Sequence, residues 1–286
     1  MVSLRGVEEK GGHSMDFNRA ALKADARAAI GTAKPHPMMV TLVFRLATAG
    51  LTVLVMFIAL ASGSGTLTDA LAGAALGLGF YPEGLLTRGQ LLIMIFLNLV
   101  MGLFSAVMGV GYTAYGMHLA RRERADYQDL IDSFGITGRI LRTMLLTFVL
   151  VVLWLIPYGV MMTAVLAVTI QRLDFYGLMA VYFLLVLGMI VYGYLIELRY
   201  AMTYFFLLDE PEMGVREAVR SSVQVMRGWK WTYCKLQLSF LGWALLSCMT
   251  MGVLGLWLSP YEAATYTNFY DFITSRRSTA RIRPEW

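Results

Sequence analysis

The residues best suited to chemistry in this chain are charged side chains inside its long apolar runs. Glu197 and Arg199 lie within one such run, and Glu262 follows Pro260-Tyr261 in another. A charge inside a bilayer is costly, so such residues usually serve an ion, a proton or a polar ligand. Glu197 suits a proton or a cation, and Arg199 suits a lipid phosphate. Glu197, Arg199 and Glu262 are therefore our candidate polar intramembrane site.

A structural interpretation of these charges stays open beside the functional one. Glu197 and Arg199 are two positions apart, so they would not face each other on a straight helix. The run that contains them is long enough for this part to lie at the cytoplasmic surface already. Glu262 would likewise suit the polar half of a short membrane span.

The sequence contains no motif that indicates an enzyme. It lacks the phosphate-binding GxxxxGK[ST] pattern, the GxSxG pattern and the HExxH pattern. Its histidines, His13, His36 and His118, have no partner at metal-ligand spacing. We interpret Cys234 and Cys248 as free, buried thiols. We therefore expect no metal, no cofactor and no enzymatic activity.

The composition indicates an integral membrane protein. Of the 286 residues, 58% are hydrophobic and only 15% are charged, whereas soluble domains have roughly 45–50% apolar and about 25% charged residues. The formal net charge is +5, and the basic residues cluster beside the ends of apolar runs, as they do near cytoplasmic membrane surfaces. We therefore expect anionic lipid headgroups as partners, and no nucleic acid.

The apolar runs predict an all-α, polytopic helical membrane protein with about six transmembrane helices. Each run is long enough for a crossing of roughly 20 residues. Proline breaks helical hydrogen bonding, so Pro157 and Pro260 predict kinks in the third and sixth spans. The predicted spans are 38–60, 90–117, 141–168, 176–208, 231–251 and 253–273.

The flanking segments complete the predicted organisation. Residues 1–15 read as a disordered extension, 16–37 as a cytoplasmic helix and linker that begins with Asp16 as its cap, and 38–275 as a single membrane domain. Residues 276–286 form a basic tail. Because basic flanks stay inside, the tail favours two crossings in 229–273 over one. Both termini are then cytoplasmic.

Two or three amphipathic helices are predicted at the cytoplasmic interface. One follows the second span within residues 121–138, and the clearer one covers residues 212–228, where apolar and basic residues occupy opposite sides. We interpret its basic side as a set of candidate lipid headgroup contacts: Arg216, Arg220, Arg227 and Lys230. The alternative is that these basic residues and the adjacent tryptophans only anchor the chain at the membrane surface.

A short phrase occurs twice. LWLIPY at 153–158 and LWLSPY at 256–261 each follow a basic amphipathic segment. Duplication is common in membrane folds, but the chain is rich in Leu, Trp and Tyr, so a chance match is equally compatible with the sequence.

The C-terminal third carries a family resemblance. It contains, in order, DEPE at 209–212, EA at 217–218, MRG at 226–228, LSFLGW at 238–243, LWLSPY at 256–261 and FY at 269–270. In these residues the chain resembles the domain-of-unknown-function 975 family, a group of uncharacterised bacterial integral membrane proteins. The resemblance implies a membrane fold in the cytoplasmic membrane of a bacterium, without an assigned activity. The segment 159–196 is longer here than the corresponding segment of the family.

Three functions are compatible with these observations. The one we favour is a non-enzymatic membrane module or accessory subunit that interacts with lipids, a partner protein or a second copy of itself. The alternative is a small transporter or channel that uses a polar site around Glu197 or Glu262. A lipid-modifying enzyme ranks last, because the sequence offers no acid-base pair or metal motif for it.

Overall fold

The computed structural model describes residues 18–50, 53, 88–172 and 174–282. This part of the chain is helical and contains no strand, which confirms the predicted fold class. The helices are α1 Arg19–Thr32, α2 Pro37–Arg45, α3 Arg88–Ala120, α4 Gln128–Asp132, α5 Thr137–Thr169, α6 Phe175–Glu197, α7 Thr203–Asp209, α8 Val215–Val225, α9 Lys230–Met249 and α10 Gly255–Ile282. A π-helical turn, Leu46–Gly50, extends α2.

Three helical stretches are long and apolar enough to cross a membrane: Ile95–Ala120, Gln128–Thr169 and Phe175–Glu197. They correspond to the second, third and fourth predicted spans. The first predicted span falls on α2, which is apolar but short, and its residues 51–52 and 54–60 lie outside the described part. The fifth and sixth fall on α9 and α10, which carry more polar side chains.

Helix α10 is the centre of the packing. It contacts α1, α2, α3, α8 and α9, and its Phe269 and Tyr270 are fully buried. The approach to α3 is close at Gly116, where an added Cβ would lie 2.8 Å from the Cβ of Ala263. A glycine at this position therefore lets the two helices touch.

Helix α1 packs on α10 and α3, so it is part of the protein core and not a peripheral helix. Ala26 is fully buried, and the amide of Asn268 in α10 donates to the carbonyl of Leu22, at 3.1 Å. The cap is Asn18, whose side chain accepts a hydrogen bond from the backbone of Ala20 at 2.9 Å. The predicted cap, Asp16, lies outside the described residues.

The predicted fourth span, 176–208, is wrong as a single helix. Helix α6 ends at Glu197, and a turn over 198–202 separates it from α7. Ser222 of α8 stabilises this turn, because its hydroxyl donates to the carbonyl of Arg199 at 3.1 Å and accepts from the backbone N–H of Met202 at 3.2 Å. Buried backbone groups need such partners when helical hydrogen bonds are interrupted.

The segment after α3 is less helical than its sequence pattern predicts. The chain turns at Arg122, whose φ is 59°, and only Gln128–Asp132 is α-helical before a 3-10 turn, Ser133–Ile136. Helix α4 packs on α3 at Gly111, where an added Cβ would lie 2.9 Å from the Cα of Leu130. Leu130 is buried there.

Helices α9 and α10 form the predicted hairpin. The connection, residues 250–254, contains Met251 at φ 51° and Gly252 at φ 85°, and the left-handed conformation reverses the chain. Helix α10 then continues to Ile282. The segment predicted as a separate tail, 276–286, is thus helical over most of its length, while residues 283–286 lie outside the described part.

Pro157 and Pro260 lie inside continuous helices, α5 and α10. Proline leaves helix carbonyls without their usual donor. Beside Pro157, the carbonyl of Trp154 accepts a hydrogen bond from the hydroxyl of Tyr192 in α6, at 3.1 Å. The bond that Pro157 cannot form is to the carbonyl of Leu153, so this contact joins α6 to α5 one residue beyond the interrupted bond.

Candidate functional site

The three residues of the predicted polar site do not form one site. Glu197 is the last residue of α6, and it is exposed. Arg199 lies in the following turn, with its guanidinium carbon 4.6 Å from the centre of the Trp154 ring. Glu262 is half-buried in α10. The structure shows no ion pair among these three side chains.

Glu262 lines a cleft of about 760 Å³ between α2, α9 and α10. Arg45 projects from the end of α2 into this cleft and donates from Nη2 to the hydroxyl of Ser259, at 3.0 Å. Ser247 and Cys248 of α9 also line it, and most of the remaining wall is apolar. The cleft thus combines apolar walls with a small group of charged and hydroxyl side chains, as ligand sites commonly do.

Helix α1 adds two further cations close to Glu262. Arg27 donates from Nε to the hydroxyl of Tyr261 at 3.1 Å, and the amine of Lys23 lies 4.0 Å from the centre of the Phe240 ring. Burial lowers the pKa of Lys23, and Arg27 lowers it further, whereas Glu262 opposes the shift. One acidic group therefore stands among several basic ones where α1, α2 and α10 meet.

A second polar cluster escaped the sequence analysis. Arg121 follows α3 and donates from Nη1 to Asp209 at 2.6 Å and from Nη2 to Asp271 at 2.8 Å. Tyr270 donates its hydroxyl to Asp209 at 3.1 Å. Asp209 ends α7 and does not cap the next helix, whose N-cap is Gly214. The only sequence signals were Asp209 and Asp271, each near the end of an apolar run, and no local pattern pairs them with Arg121.

His118 belongs to a separate pair. Its Nδ1 lies 2.9 Å from Oδ1 of Asp129, a nearly buried carboxylate. The backbone N–H of Asp126 donates to the other oxygen of Asp129 at 3.0 Å. Asp129 therefore fixes α4 and the turn before it to the end of α3, which is a structural role.

The predicted headgroup contacts lie mostly on the outer side of α8. Arg216, Arg220 and Arg227 are exposed, and Lys230 at the start of α9 is half-buried. The opposite side of α8 is covered by protein, because it packs on α5 and α7. Its buried residues are Ala218, Val219, Ser222 and Val225. The apolar stripe therefore holds the helix on the protein, and the arginines face outward.

The two copies of the LWLxPY phrase end in tyrosines that use their hydroxyls differently. Tyr158 donates to the carbonyl of Leu185 in α6 at 2.7 Å, next to Gly188, where an added Cβ would crowd the hydroxyl. Tyr261 accepts from Arg27 of α1. Each tyrosine fixes a neighbouring helix, but the partners are unrelated.

The thiols also differ in their surroundings. Both cysteines are free, but Cys234 is buried and Cys248 is exposed, so the prediction that both are buried is wrong for Cys248. Cys248 lies near the end of α9, where it lines the cleft.

Of the comparisons with known proteins, the one with family models gives a match. No curated protein and no solved structure matches the chain. The model of a family described as "Protein of unknown function (DUF975)" matches residues 19–277, which is nearly all of the described part and confirms the resemblance seen in the C-terminal third. The chain belongs to the DUF975 family.

Proposed function

We propose that this protein is a non-enzymatic membrane module that binds anionic lipid headgroups, or a partner protein, at its cytoplasmic face. The observation that carries the proposal is the arrangement of α8. Its apolar side is packed against the protein, Arg216 and Arg220 are held outward, and Arg227 is exposed just after the helix ends at Val225. In the described part of the chain, no acidic side chain forms an ion pair with these arginines.

The energetics support lipid as the partner. Each Lys or Arg held near an anionic membrane surface contributes about 1 kcal/mol of attraction at physiological salt. The same chain carries α5 and α6, whose side chains are largely exposed and apolar, for example Phe148 and Phe183 at 63% and 67% exposure. Such surfaces suit lipid tails, so the outward arginines would meet headgroups.

Two double variants, each of which removes two positive charges, test this proposal. We expect Arg216→Gln with Arg220→Gln to reduce the enrichment of anionic over zwitterionic lipids around the purified protein about twofold, measured by mass spectrometry of copurified lipids and proteins. The matched control is Arg122→Gln with Arg124→Gln, which removes the same charge from the turn after α3. Equal lipid and protein profiles for wild type and the α8 variant would reject the proposal.

The topology that accompanies this function has six crossings, with α2, α9 and α10 added to the three long apolar helices, and both termini in the cytoplasm of a bacterium. The distribution of charge supports it: Arg121, Arg122 and Arg124 follow α3, and the α9–α10 connection at 250–254 carries no charge. A reporter enzyme that works only outside the membrane, fused after Trp286, should be inactive. Strong activity would contradict six crossings.

The alternative is a small transporter, favoured by the cleft that contains Arg45 and Glu262. Cys248 lines this cleft and Cys234 is buried, so thiol labelling reports on the cleft. If the cleft is a water-filled path, a charged maleimide should label Cys248. Glu262→Gln should then change the rate of this labelling. If lipid fills the cleft, an apolar maleimide should label Cys248 and the charged reagent should not. Labelling by the apolar reagent alone would favour the membrane module over the transporter.

A further inference from the structure

The cleft between α2, α9 and α10 holds one cation and one anion that do not pair. Arg45 and Glu262 both line this cleft of about 760 Å³. In the described part of the chain, they form no ion pair with each other or with any other group. Arg45 is exposed and Glu262 is half-buried, so a ligand that enters the cleft can reach both charges.

Arg45 is held in the cleft by a neutral group. Its Nη2 donates to the hydroxyl of Ser259 at 3.0 Å, and the same nitrogen lies 3.9 Å from the position that a Cβ on Gly255 would take. Within the described residues, the bond to Ser259 is the hydrogen bond that this side chain makes. A guanidinium carries several further N–H donors, and these remain available for a ligand.

The carboxylate of Glu262 is close to this guanidinium. Glu262 comes three residues after Ser259 on α10, and residues at this spacing are neighbours, with Cβ atoms about 5–6 Å apart. The guanidinium bound to Ser259 therefore lies about one helical turn from the position of Glu262. Lys23 of α1 donates instead to the carbonyl of Ser239 at 3.5 Å and lies over the ring of Phe240, so it leaves the carboxylate unpaired.

The remaining wall of the cleft and the surface around it are mostly apolar. Ala244, Leu256 and Leu258 line the cleft, and α9 and α10 expose large apolar side chains next to it, including Leu245 and Trp257. Unpaired charges are unfavourable in such surroundings. The cleft therefore suits a ligand with a charged head that meets the two charges and an apolar tail that follows the walls.

The two charges select the kind of head. Glu262 repels a ligand that carries only an anion, and Arg45 repels one that carries only a cation. A zwitterion satisfies both residues, because a guanidinium binds phosphate oxygens through two nitrogens and a carboxylate accepts hydrogen bonds from an ammonium. The ligand that fits best joins a phosphate to an ammonium through a short alkyl link.

We propose that the cleft between α2, α9 and α10 binds a phosphoethanolamine group, with its phosphate on Arg45 and its ammonium on Glu262. The group would belong to a phosphatidylethanolamine lipid or to free phosphoethanolamine, which present the same charges. This site lies on other helices than α8. The inference therefore goes beyond the proposed function, which concerns anionic headgroups at Arg216 and Arg220.

The experiment uses the full chain in neutral detergent micelles, with lipid binding followed by native mass spectrometry. The probes are phosphatidylethanolamine and phosphatidylglycerol with the same acyl chains. We expect Arg45→Gln and Glu262→Gln each to weaken phosphatidylethanolamine binding about tenfold, which corresponds to about 1.4 kcal/mol. Phosphatidylglycerol has no ammonium, so Glu262→Gln should not weaken its binding. A general loss of structure would weaken the binding of both lipids.

Two control variants remove charges outside the cleft. Arg122→Gln removes an exposed base and Glu212→Gln an exposed acid, and each should change the affinity for phosphatidylethanolamine less than twofold. Glu262→Gln replaces a half-buried side chain by one of nearly the same size. It therefore tests the site even if Arg45→Gln fails to fold.

Free phosphoethanolamine, added as a competitor, distinguishes the two sources of the group. If an excess displaces phosphatidylethanolamine, the cleft accepts the head without a lipid tail. If it does not, the apolar walls are needed and the ligand is the lipid. Both results support the proposal, provided that the Glu262→Gln variant discriminates between the two lipids as expected.

Other results would overturn the proposal. Wild-type affinity for phosphatidylethanolamine in Arg45→Gln or in Glu262→Gln rejects the site, and so does an equal loss of both lipids in Glu262→Gln. The α8 double variant at 216 and 220 should leave phosphatidylethanolamine binding unchanged, and a tenfold loss there would place this lipid at α8 instead. If the α8 variant changes neither this affinity nor the copurified lipids, the proposed function fails and the cleft site stands.

Discussion

Arg121 binds Asp271, which lies 150 residues later in the chain, through Nη2 to Oδ1 at 2.8 Å and Nε to Oδ2 at 3.4 Å. The same guanidinium reaches Asp209 at 2.6 Å. One side chain therefore joins the end of α3 to α7 and α10. A guanidinium that binds a carboxylate through two nitrogens forms a strong and oriented contact, so this cluster fixes the position of α10, on which the cleft and α1 depend.

We predict that Arg121→Gln destabilises the protein by roughly 1–2 kcal/mol, because two carboxylates lose their charged donor. Its side chain is 28% exposed, and solvent screening keeps the effect below that of a fully buried pair. The measurement is the melting temperature in detergent, read from tryptophan fluorescence. Arg122→Gln is the control: it removes the same charge from an exposed neighbour and should leave the melting temperature nearly unchanged. Equal shifts in the two variants would show that the ion pairs contribute no stability.

The amino-acid sequence predicts the helical class and the long spans because apolar runs and helix signals are local. It also predicts the α9–α10 hairpin, because the basic segment 276–286 favours two crossings over one. It cannot predict that 176–208 is interrupted. Apart from Arg199, the residues of the break, 198–202, are apolar or aromatic like their neighbours. The stabilising hydroxyl, that of Ser222, comes from a helix further along the chain.

The site residues also divide into those that a local sequence pattern predicts and those that depend on contacts between distant segments. The outward arginines of α8 follow from helical periodicity, and the structure places them on one exposed side. The pairing of Arg121 with Asp209 and Asp271 depends on three distant segments meeting, which no local pattern encodes. Glu197 and Glu262 looked equivalent in the sequence, but packing leaves one exposed and puts the other in a cleft.

The contact between α3 and α10 gives a second prediction. We expect Gly116→Val to destabilise the protein by about 1–3 kcal/mol, since even a Cβ would lie 2.8 Å from Ala263 and overpacking forces helices apart. Gly109 lies on the same helix and has nothing within 4 Å of an added Cβ. Gly109→Val should therefore shift the melting temperature far less. A larger loss at Gly109 than at Gly116 would contradict this packing of α10 on α3.

The turn between α6 and α7 gives a third prediction. Ser222→Ala removes a hydroxyl that serves two backbone groups and leaves both buried and unpaired, which costs about 1–3 kcal/mol. Because the turn carries Arg199, we also expect faster hydrogen exchange at Met202, whose N–H donates to Ser222. Ser221→Ala alters the neighbouring, less buried serine and should leave that exchange rate unchanged. Unchanged exchange in Ser222→Ala would mean that the hydroxyl does not hold the turn.

The α9–α10 connection gives a prediction of opposite signs for two exposed methionines. Met251 has a φ of 51° and is 97% exposed, so its side chain adds left-handed strain of roughly 1 kcal/mol and makes few contacts. Met251→Gly should remove that strain and raise the melting temperature slightly, although glycine gives back part of the gain through the entropy of the unfolded chain.

Met249 is the matched position for this test. It is 82% exposed but ends α9 in helical conformation, where glycine in place of an ordinary residue is unfavourable by up to about 1 kcal/mol. Met249→Gly should therefore lower the melting temperature while Met251→Gly raises it. The two substitutions are chemically identical and two residues apart, so a difference in sign can come only from backbone conformation. A fall of equal size in both variants would show that residue 251 does not adopt the left-handed conformation.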